Sequence, residues 1–189
     1  VLPRGILRIP CRSSAAAHGT STCDEYSAAW SLEVGEGWIT RRLDVAVRAQ
    51  GWSRDLSLRR DDAARWSAEA RAAGTVALPA PGLSADVDLD AAVDCDLGLC
   101  PVTNTMPIRR LGLLGPPVAE AELVMAWVEV PSLRVLRSGQ RYGSHDAGRV
   151  RYASGDRGFQ AELVVDEDGL VVDYPGLARR VDEEAAPGR

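Results

Sequence analysis

Apolar and polar residues alternate along much of this chain, the period-two pattern of strands with one buried face. Tyr26, Ala28, Trp30, Leu32 and Val34 alternate with Ser27, Ala29, Ser31 and Glu33. Gly35-Glu36-Gly37 reads as a turn, after which Leu43, Val45 and Val47 alternate with Arg42, Asp44, Ala46 and Arg48. Two such runs across a short glycine-containing link predict an antiparallel hairpin. Leu56 and Leu58 continue the alternation, and Trp66 follows a polar Arg59–Asp62 turn. The longest run is Leu83–Leu99, apolar at every odd position, with Asp86, Asp88, Asp90, Asp94 and Asp96 at even ones. Fully extended it would span roughly 55 Å at about 3.3 Å per residue, too long for one strand, so a break is expected near Asp90–Ala92.

Leu123–Val130 (LVMAWVEV) is apolar on both faces until Glu129, as in a central strand covered on both sides, and Pro131 ends it. Phe159, Ala161, Leu163 and Val165 alternate with polar neighbours, Asp166-Glu167-Asp168-Gly169 supplies a turn, and Leu170, Val172 and Tyr174 return. That is the clearest hairpin signal in the chain. Helical candidates are few: Leu177–Glu184 predicts a short helix, and Asp61–Ala73 has the composition for another. The expectation is one mainly-β domain over residues 22–182, an antiparallel barrel, half-barrel or sandwich of about ten short strands with a few short helices. Residues 1–21 are expected to be a flexible N-terminal segment and residues 183–189 a flexible tail.

Composition narrows the function. With 189 residues, 46% hydrophobic and 26% charged, the chain is an ordinary globular mixture. Its net charge of −5 argues against a general nucleic-acid binder. All 22 basic residues are Arg, each a better bidentate partner for phosphate than Lys. No apolar run reaches the length of a membrane span. Pro3, Arg4, Gly5, Arg8 and Pro10 interrupt the N-terminal apolar stretch, so a signal peptide is not expected and a cytoplasmic location is. Cys11, Cys23, Cys95 and Cys100 form no CxxC pair, and His18 and His145 stand apart, so neither a metal nor a cofactor is expected.

The best candidate for chemistry is Thr103-Asn104-Thr105-Met106-Pro107-Ile108-Arg109-Arg110. Pro101 and Pro107 bracket it as a polar loop, and two guanidiniums follow that suit a phosphate or carboxylate head group. Its structural alternative is turn capping, with an Arg returning to the Asp94/Asp96 face. Gln140, Arg141 and Tyr142 suit a sugar or head group at a cavity mouth, or equally a strand edge. The aspartate row reads as a solvated strand face rather than a calcium site, because a tight turn is needed to converge oxygen ligands. Ser144-His145-Asp146 has triad letters, but adjacent residues do not align nucleophile, base and orienting acid. Trp30, Trp38, Trp52, Trp66 and Trp127 read as core or cavity lining.

Several ordered blocks resemble the bacterial Putative glycolipid-binding family: Trp38–Val45 (WITRRLDV), Val93–Leu111 (VDCDLGLCPVTNTMPIRRL), Val130–Leu133, Gln140–Tyr142, Arg151-Tyr152 and Val164–Val181 (VVDEDGLVVDYPGLARRV). TNTMPIRRL and DEDGLVVDYPGL are the specific stretches. Cys100-Pro101-Val102 departs from the more aromatic entry expected before the first of them. The resemblance implies a LolA-like fold, an antiparallel sheet curled into a partial barrel with a few helices on its concave side. By analogy of shape it implies an acyl chain or glycolipid held in that concavity, without catalysis. Thr103, Asn104, Thr105, Arg109, Arg110, Gln140, Arg141 and Tyr142 are then the expected ligand contacts, with Arg109, Arg110 or Arg141 on a polar head group. Two alternatives stay open. One is a hydrolase-type enzyme acting on a carbohydrate or phosphate-bearing substrate, with Asp94 or Asp96 converging on Arg109; the other is an interaction domain without a small-molecule ligand.

Overall fold

The computed structural model describes residues 4–8, 15–155 and 158–181, with residues 4–8 described by their backbone alone. The chain is mainly β, as expected, with one sheet curled into a half-barrel and one short α-helix. The first sheet is an antiparallel meander of β1 (Arg4–Arg8), β2 (Ala15–Thr22), β3 (Ser27–Val34), β4 (Thr40–Ala49), β5 (Trp52–Arg60) and β6 (Trp66–Gly74), in that order. The second contains β7 (Gly82–Leu83), β8 (Ala92–Leu97), β9 (Val118–Val128), β10 (Arg134–Asp146), β11 (Arg149–Ser154), β12 (Phe159–Val165), β13 (Val171–Tyr174) and β14 (Ala178–Arg179). It runs in the order β14-β13-β12-β11-β10-β9-β8, and β7 pairs with the start of β10. A 3-10 turn at Pro101–Asn104 leads into helix α1, Thr105–Arg110.

The expected hairpins form. β3 and β4 pair across Gly35–Ile39, where Gly37 takes φ 68, the left-handed conformation that glycine adopts without strain. Their register builds apolar rows on the inner face, such as Leu32, Leu43 and Leu58, and Trp30, Val45 and Leu56, all buried. In the β12–β13 turn, the Asp166 carboxylate accepts hydrogen bonds from the Asp168 and Leu170 N–H groups, at 3.0 and 2.8 Å. Leu83–Leu99 breaks as predicted: only Gly82–Leu83 and Ala92–Leu97 are extended pairs, and the latter runs parallel to β9.

Three expectations are corrected. Asp61–Ala73 is no helix: from Trp66 it is β6, because the Asp61 side chain fixes a tight turn by accepting from the Arg65 N–H at 2.9 Å. That turn brings Ser67 opposite Arg59, and the sheet ladder overrides the helical preference of alanine. The segment from Leu177 makes a turn and the two-residue β14 rather than a helix; residues 182–184 lie outside the described residues. The N-terminal segment, expected to be flexible to residue 21, is a paired strand from Ala15 to Thr22, with Ala15 and Ala17 buried against Val34 and Leu32. Alternating small residues there were too weakly apolar to read as a strand. Residues 183–189 also lie outside the described residues. Among those described, no helix is long and apolar enough to cross a membrane.

Two apolar cores result. One fills the space between the first sheet and β8, β9 and the start of β10; the other lies in the second sheet beneath Tyr142, Val150, Tyr152 and Leu163. Helix α1 joins them, giving Met106 to the first and Ile108 to the second. β9 serves both, with Ala126 and Val128 in one and Met125 in the other, the two-sided burial its sequence predicts.

Polar side chains tie the sheets together: Arg60 Nε and Trp66 Nε1 of the first sheet donate to the Ala92 carbonyl on β8 at 3.2 and 3.0 Å, and Thr40 adds a buried contact. The β3–β4 ladder skips a residue beside Val34, and the irregularity turns Thr40 inward. Its hydroxyl accepts from the Cys95 N–H on β8 at 3.0 Å and lies 3.2 Å from Met106 Sδ on α1. Thr40→Val preserves the shape and leaves the Cys95 N–H without that partner. The expected loss is about 1–3 kcal/mol of unfolding free energy, measured by urea denaturation, with the secondary structure unchanged by circular dichroism.

Candidate functional site

The TNTMPIRRL segment is a buried structural element, not an open loop. Pro101 starts the 3-10 turn and Pro107 lies in the first turn of α1, where the missing N–H costs no helical hydrogen bond. Thr103, Asn104, Thr105, Met106, Pro107 and Ile108 are all buried. The segment covers the face of β8 that carries Asp94 and Asp96, which the alternation alone had assigned to solvent.

Asp96 is the centre of a polar network. The Thr103 hydroxyl lies 3.0 Å from one Asp96 oxygen and 2.9 Å from the Cys100 carbonyl, and Gln140 Nε2 donates to the other Asp96 oxygen at 2.6 Å. The Tyr142 hydroxyl, with one proton, faces Asn104 Oδ1 at 2.8 Å and Gln140 Oε1 at 3.1 Å. Asn104 Nδ2 donates to the Pro101 carbonyl at 3.1 Å. Burial first, and then the charge of Asp96, push the Tyr142 phenol well above its ordinary range. Four of the sequence candidates, Thr103, Asn104, Gln140 and Tyr142, therefore meet in one place. Thr105 is buried, and its hydroxyl has no hydrogen-bond partner.

The arginines are elsewhere. Arg110 turns back to Asp94, its Nη1 lying 2.6 and 2.5 Å from the two carboxylate oxygens. Arg109 lays its guanidinium over the Trp38 ring, 4.9 Å from the centroid, and donates to the Glu167 carbonyl at 3.5 Å. Arg141 points out on the exposed face of β10, opposite to Gln140 and Tyr142, as strand alternation requires. Ser144 accepts from the Val118 N–H at 3.2 Å while His145 and Asp146 are exposed, so these three make no catalytic group. Asp86, Asp88 and Asp90 are exposed, as read from the sequence. Among the described residues no cluster of His, Cys, Asp and Glu is placed to hold a metal ion.

Beside the Asp96 network lies a cavity of about 450 Å³. Asp96, Asn104 and Glu129 give it polar groups; Trp127, Tyr152, Phe159 and Tyr174 give it aromatic walls. The Tyr142, Tyr152 and Tyr174 rings meet edge to face, with centroids 5.2 and 6.0 Å apart, and Phe159 stacks on Tyr174 at 6.0 Å. At its rim stand Leu99, 47% exposed and held at φ 62, and Phe159, 40% exposed. Apart from Val181, these are the large apolar side chains left in water among the described residues. Cys100 also lines the cavity, but burial pushes its thiol up to about 12, leaving no thiolate for nucleophilic chemistry. Of the aromatic walls the sequence offered Trp127 as core or cavity lining; Tyr152, Phe159 and Tyr174 were not read as walls because they come from three separate strands.

Asp94 carries a pH signature. Burial raises its pKa from 3.8 to about 6, against the opposing pull of Arg110. A carboxyl that holds its proton more tightly folded than unfolded supports the fold most at low pH. That contribution is fully present below about pH 4 and declines as pH rises to about 6. Compared with Asp94→Asn, the native protein is expected to lose relative stability between pH 4 and pH 7, by at most about 3 kcal/mol. Urea midpoints of the two proteins across that range measure it; a constant difference would contradict the assignment.

Comparison with known proteins agrees with this architecture. Residues 8–180 match the family described as Putative glycolipid-binding. The fold is similar to the crystal structure of a DUF1089 family protein from Pseudomonas aeruginosa, with a TM-score of 0.72 and 30% identity over 96% of this chain and 93% of that one. No curated protein sequence matches the chain. With a match over nearly its whole length, this chain belongs to the Putative glycolipid-binding family.

Proposed function

We propose that the chain binds a glycolipid-type amphiphile in the aromatic cavity and releases it unchanged. The observation that carries this reading is the exposure of Leu99 and Phe159 at the rim of a recess whose interior is aromatic and polar. Apolar side chains in water mark an interaction site when they border a cavity. Aromatic faces suit the C–H-rich faces of sugar rings, and Asp96, Asn104 and Glu129 supply acceptors for hydroxyl groups. The alkyl chain then lies over the rim instead of deep in the half-barrel, whose interior Ile108, Leu113, Met125 and Tyr142 already fill.

The polar partner differs from the one expected at first. Among the described residues the charged groups of the cavity lining are the carboxylates Asp96 and Glu129, which favours an uncharged carbohydrate over a phosphate. Binding without catalysis is favoured because both carboxylates are engaged: Asp96 by Thr103 and Gln140, and Glu129 by the Ser132 hydroxyl at 2.5 Å and Arg134 at 3.5 Å. The hydrolase alternative required Asp94 or Asp96 to converge on Arg109, but Asp94 meets Arg110 and Arg109 rests on Trp38.

Titration with dodecyl maltoside below its micelle concentration, followed by tryptophan fluorescence, tests the proposal. Saturable binding is expected, with dodecyl phosphate binding more weakly. Leu99→Ala combined with Phe159→Ala is expected to weaken the maltoside complex about tenfold while leaving the fold intact, since both side chains are exposed. Native mass spectrometry should recover the maltoside unaltered. A protein that ignores both amphiphiles, or binds them equally well after the double substitution, would remove the reading.

A further inference from the structure

The outer edge of β6 has the pattern of a strand made to pair with itself. β6 ends the first sheet, bonded to β5 on one side and, among the described residues, to no strand on the other. In the β5–β6 turn the Asp61 N–H donates to the Arg65 carbonyl at 3.0 Å, so the odd-numbered pairs of the two strands are the ones that exchange backbone hydrogen bonds. The N–H and C=O groups of Ala68, Ala70 and Ala72 therefore point out of the sheet. No hydrogen bond to them occurs among the described residues. The chain after β6 does not cover this edge. It turns back under the inner face, where the Leu78 carbonyl takes the Arg54 guanidinium at 3.5 Å, and Gly82 comes against the Ala70 side chain.

Free edges in monomeric proteins are commonly blocked by proline, a bulge or repelling charge. β6 (WSAEARAAG) has neither proline nor bulge. Its two charges, Glu69 and Arg71, are exposed and make no ion pair among the described residues, while neighbouring Asp55 is already paired with Arg48 at 2.6 Å.

We infer that β6 is a dimerisation edge and that its partner is a second copy of this chain, docked antiparallel about a two-fold axis at Ala70. That axis is chosen by complementarity at every position. It pairs Ala70 with Ala70 of the second copy and Ala68 with Ala72, the outward-pointing residues, through paired backbone hydrogen bonds. It sets Glu69 opposite Arg71 twice, in the non-hydrogen-bonded positions where side chains lie closest. It places Trp66, the one bulky residue of the strand, opposite Gly74, and Ser67 opposite Ala73. The two six-stranded sheets then run together as one continuous sheet across the axis. Such an isologous contact closes on itself and leaves no further β6 edge to propagate.

Sedimentation equilibrium from about 1 to about 300 µM tests this. The expected result is a dimer of roughly 40 kDa, twice the 20.2 kDa of the chain, within that range. Arg71→Glu, which sets like charges opposite each other twice, should weaken the dimer about tenfold. Exchanging both charges, Glu69→Arg with Arg71→Glu, should restore it. Ala70→Pro removes an outward N–H that the monomer does not use and should give a monomer with an unchanged circular dichroism spectrum. A protein monomeric throughout the range, or a dimer indifferent to the charge reversal and its rescue, would overturn the inference.

Discussion

Taking a carboxylate out of water is costly unless a partner goes with it, and Asp94, with no exposed surface, holds Arg110 as that partner. The pair ties the last turn of α1 to β8, the strand at which the two sheets meet. From that tie the placement of the helix follows: Met106 drops into the core between the sheets, and Ile108 into the core of the second sheet. Thr40 completes the junction from the first sheet. Such a pair contributes little net stability against an apolar replacement of the same shape. Its contribution is positional, because an unpaired charge at either end would be prohibitive and only one orientation of the helix avoids it.

The same tie separates two kinds of chemistry that the sequence places side by side. Asp94 and Asp96 project from one face of β8, yet Asp94 turns to the Arg110 guanidinium while Asp96 takes the Thr103 hydroxyl and the Gln140 amide. The first is sealed within the scaffold. The second borders the cavity. The guanidiniums that made TNTMPIRRL look like a head-group site serve to seat the helix, and the short polar residues before them build the cavity wall.

Strand alternation made most of the fold legible, because strands such as β3 and β4 bury one face and turn the other toward water. It was silent where that premise fails. β6 is exposed over most of its length, so its alanines carried no apolar signal and looked helical. Helix α1 spans fewer than two turns, too short to display a helical period. The site was legible in its members and not in their roles. Thr103, Asn104, Gln140 and Tyr142 could be named from motifs, but a sequence does not show what covers a strand face. Hence Asp94 and Asp96 read like the exposed Asp86, Asp88 and Asp90. The aromatic walls depend on long-range pairing of β11, β12 and β13 with β9 and β10, which no local pattern encodes.

β9 illustrates a different way of specifying structure. In most strands of a half-buried sheet, slipping by one residue drives the apolar set into water, so solvent itself enforces register. β9 has no wet face along Val124–Val128, and solvent cannot perform that check. What distinguishes its two faces is size: the small Ala126 faces the gap between the sheets, whereas the longer Met125 faces the interior beneath the tyrosines. A one-residue slip would force a thioether into the gap and leave a void where it had been, costs that arise from shape alone. The strand at the centre of the molecule is thus aligned by steric fit where its neighbours are aligned by water.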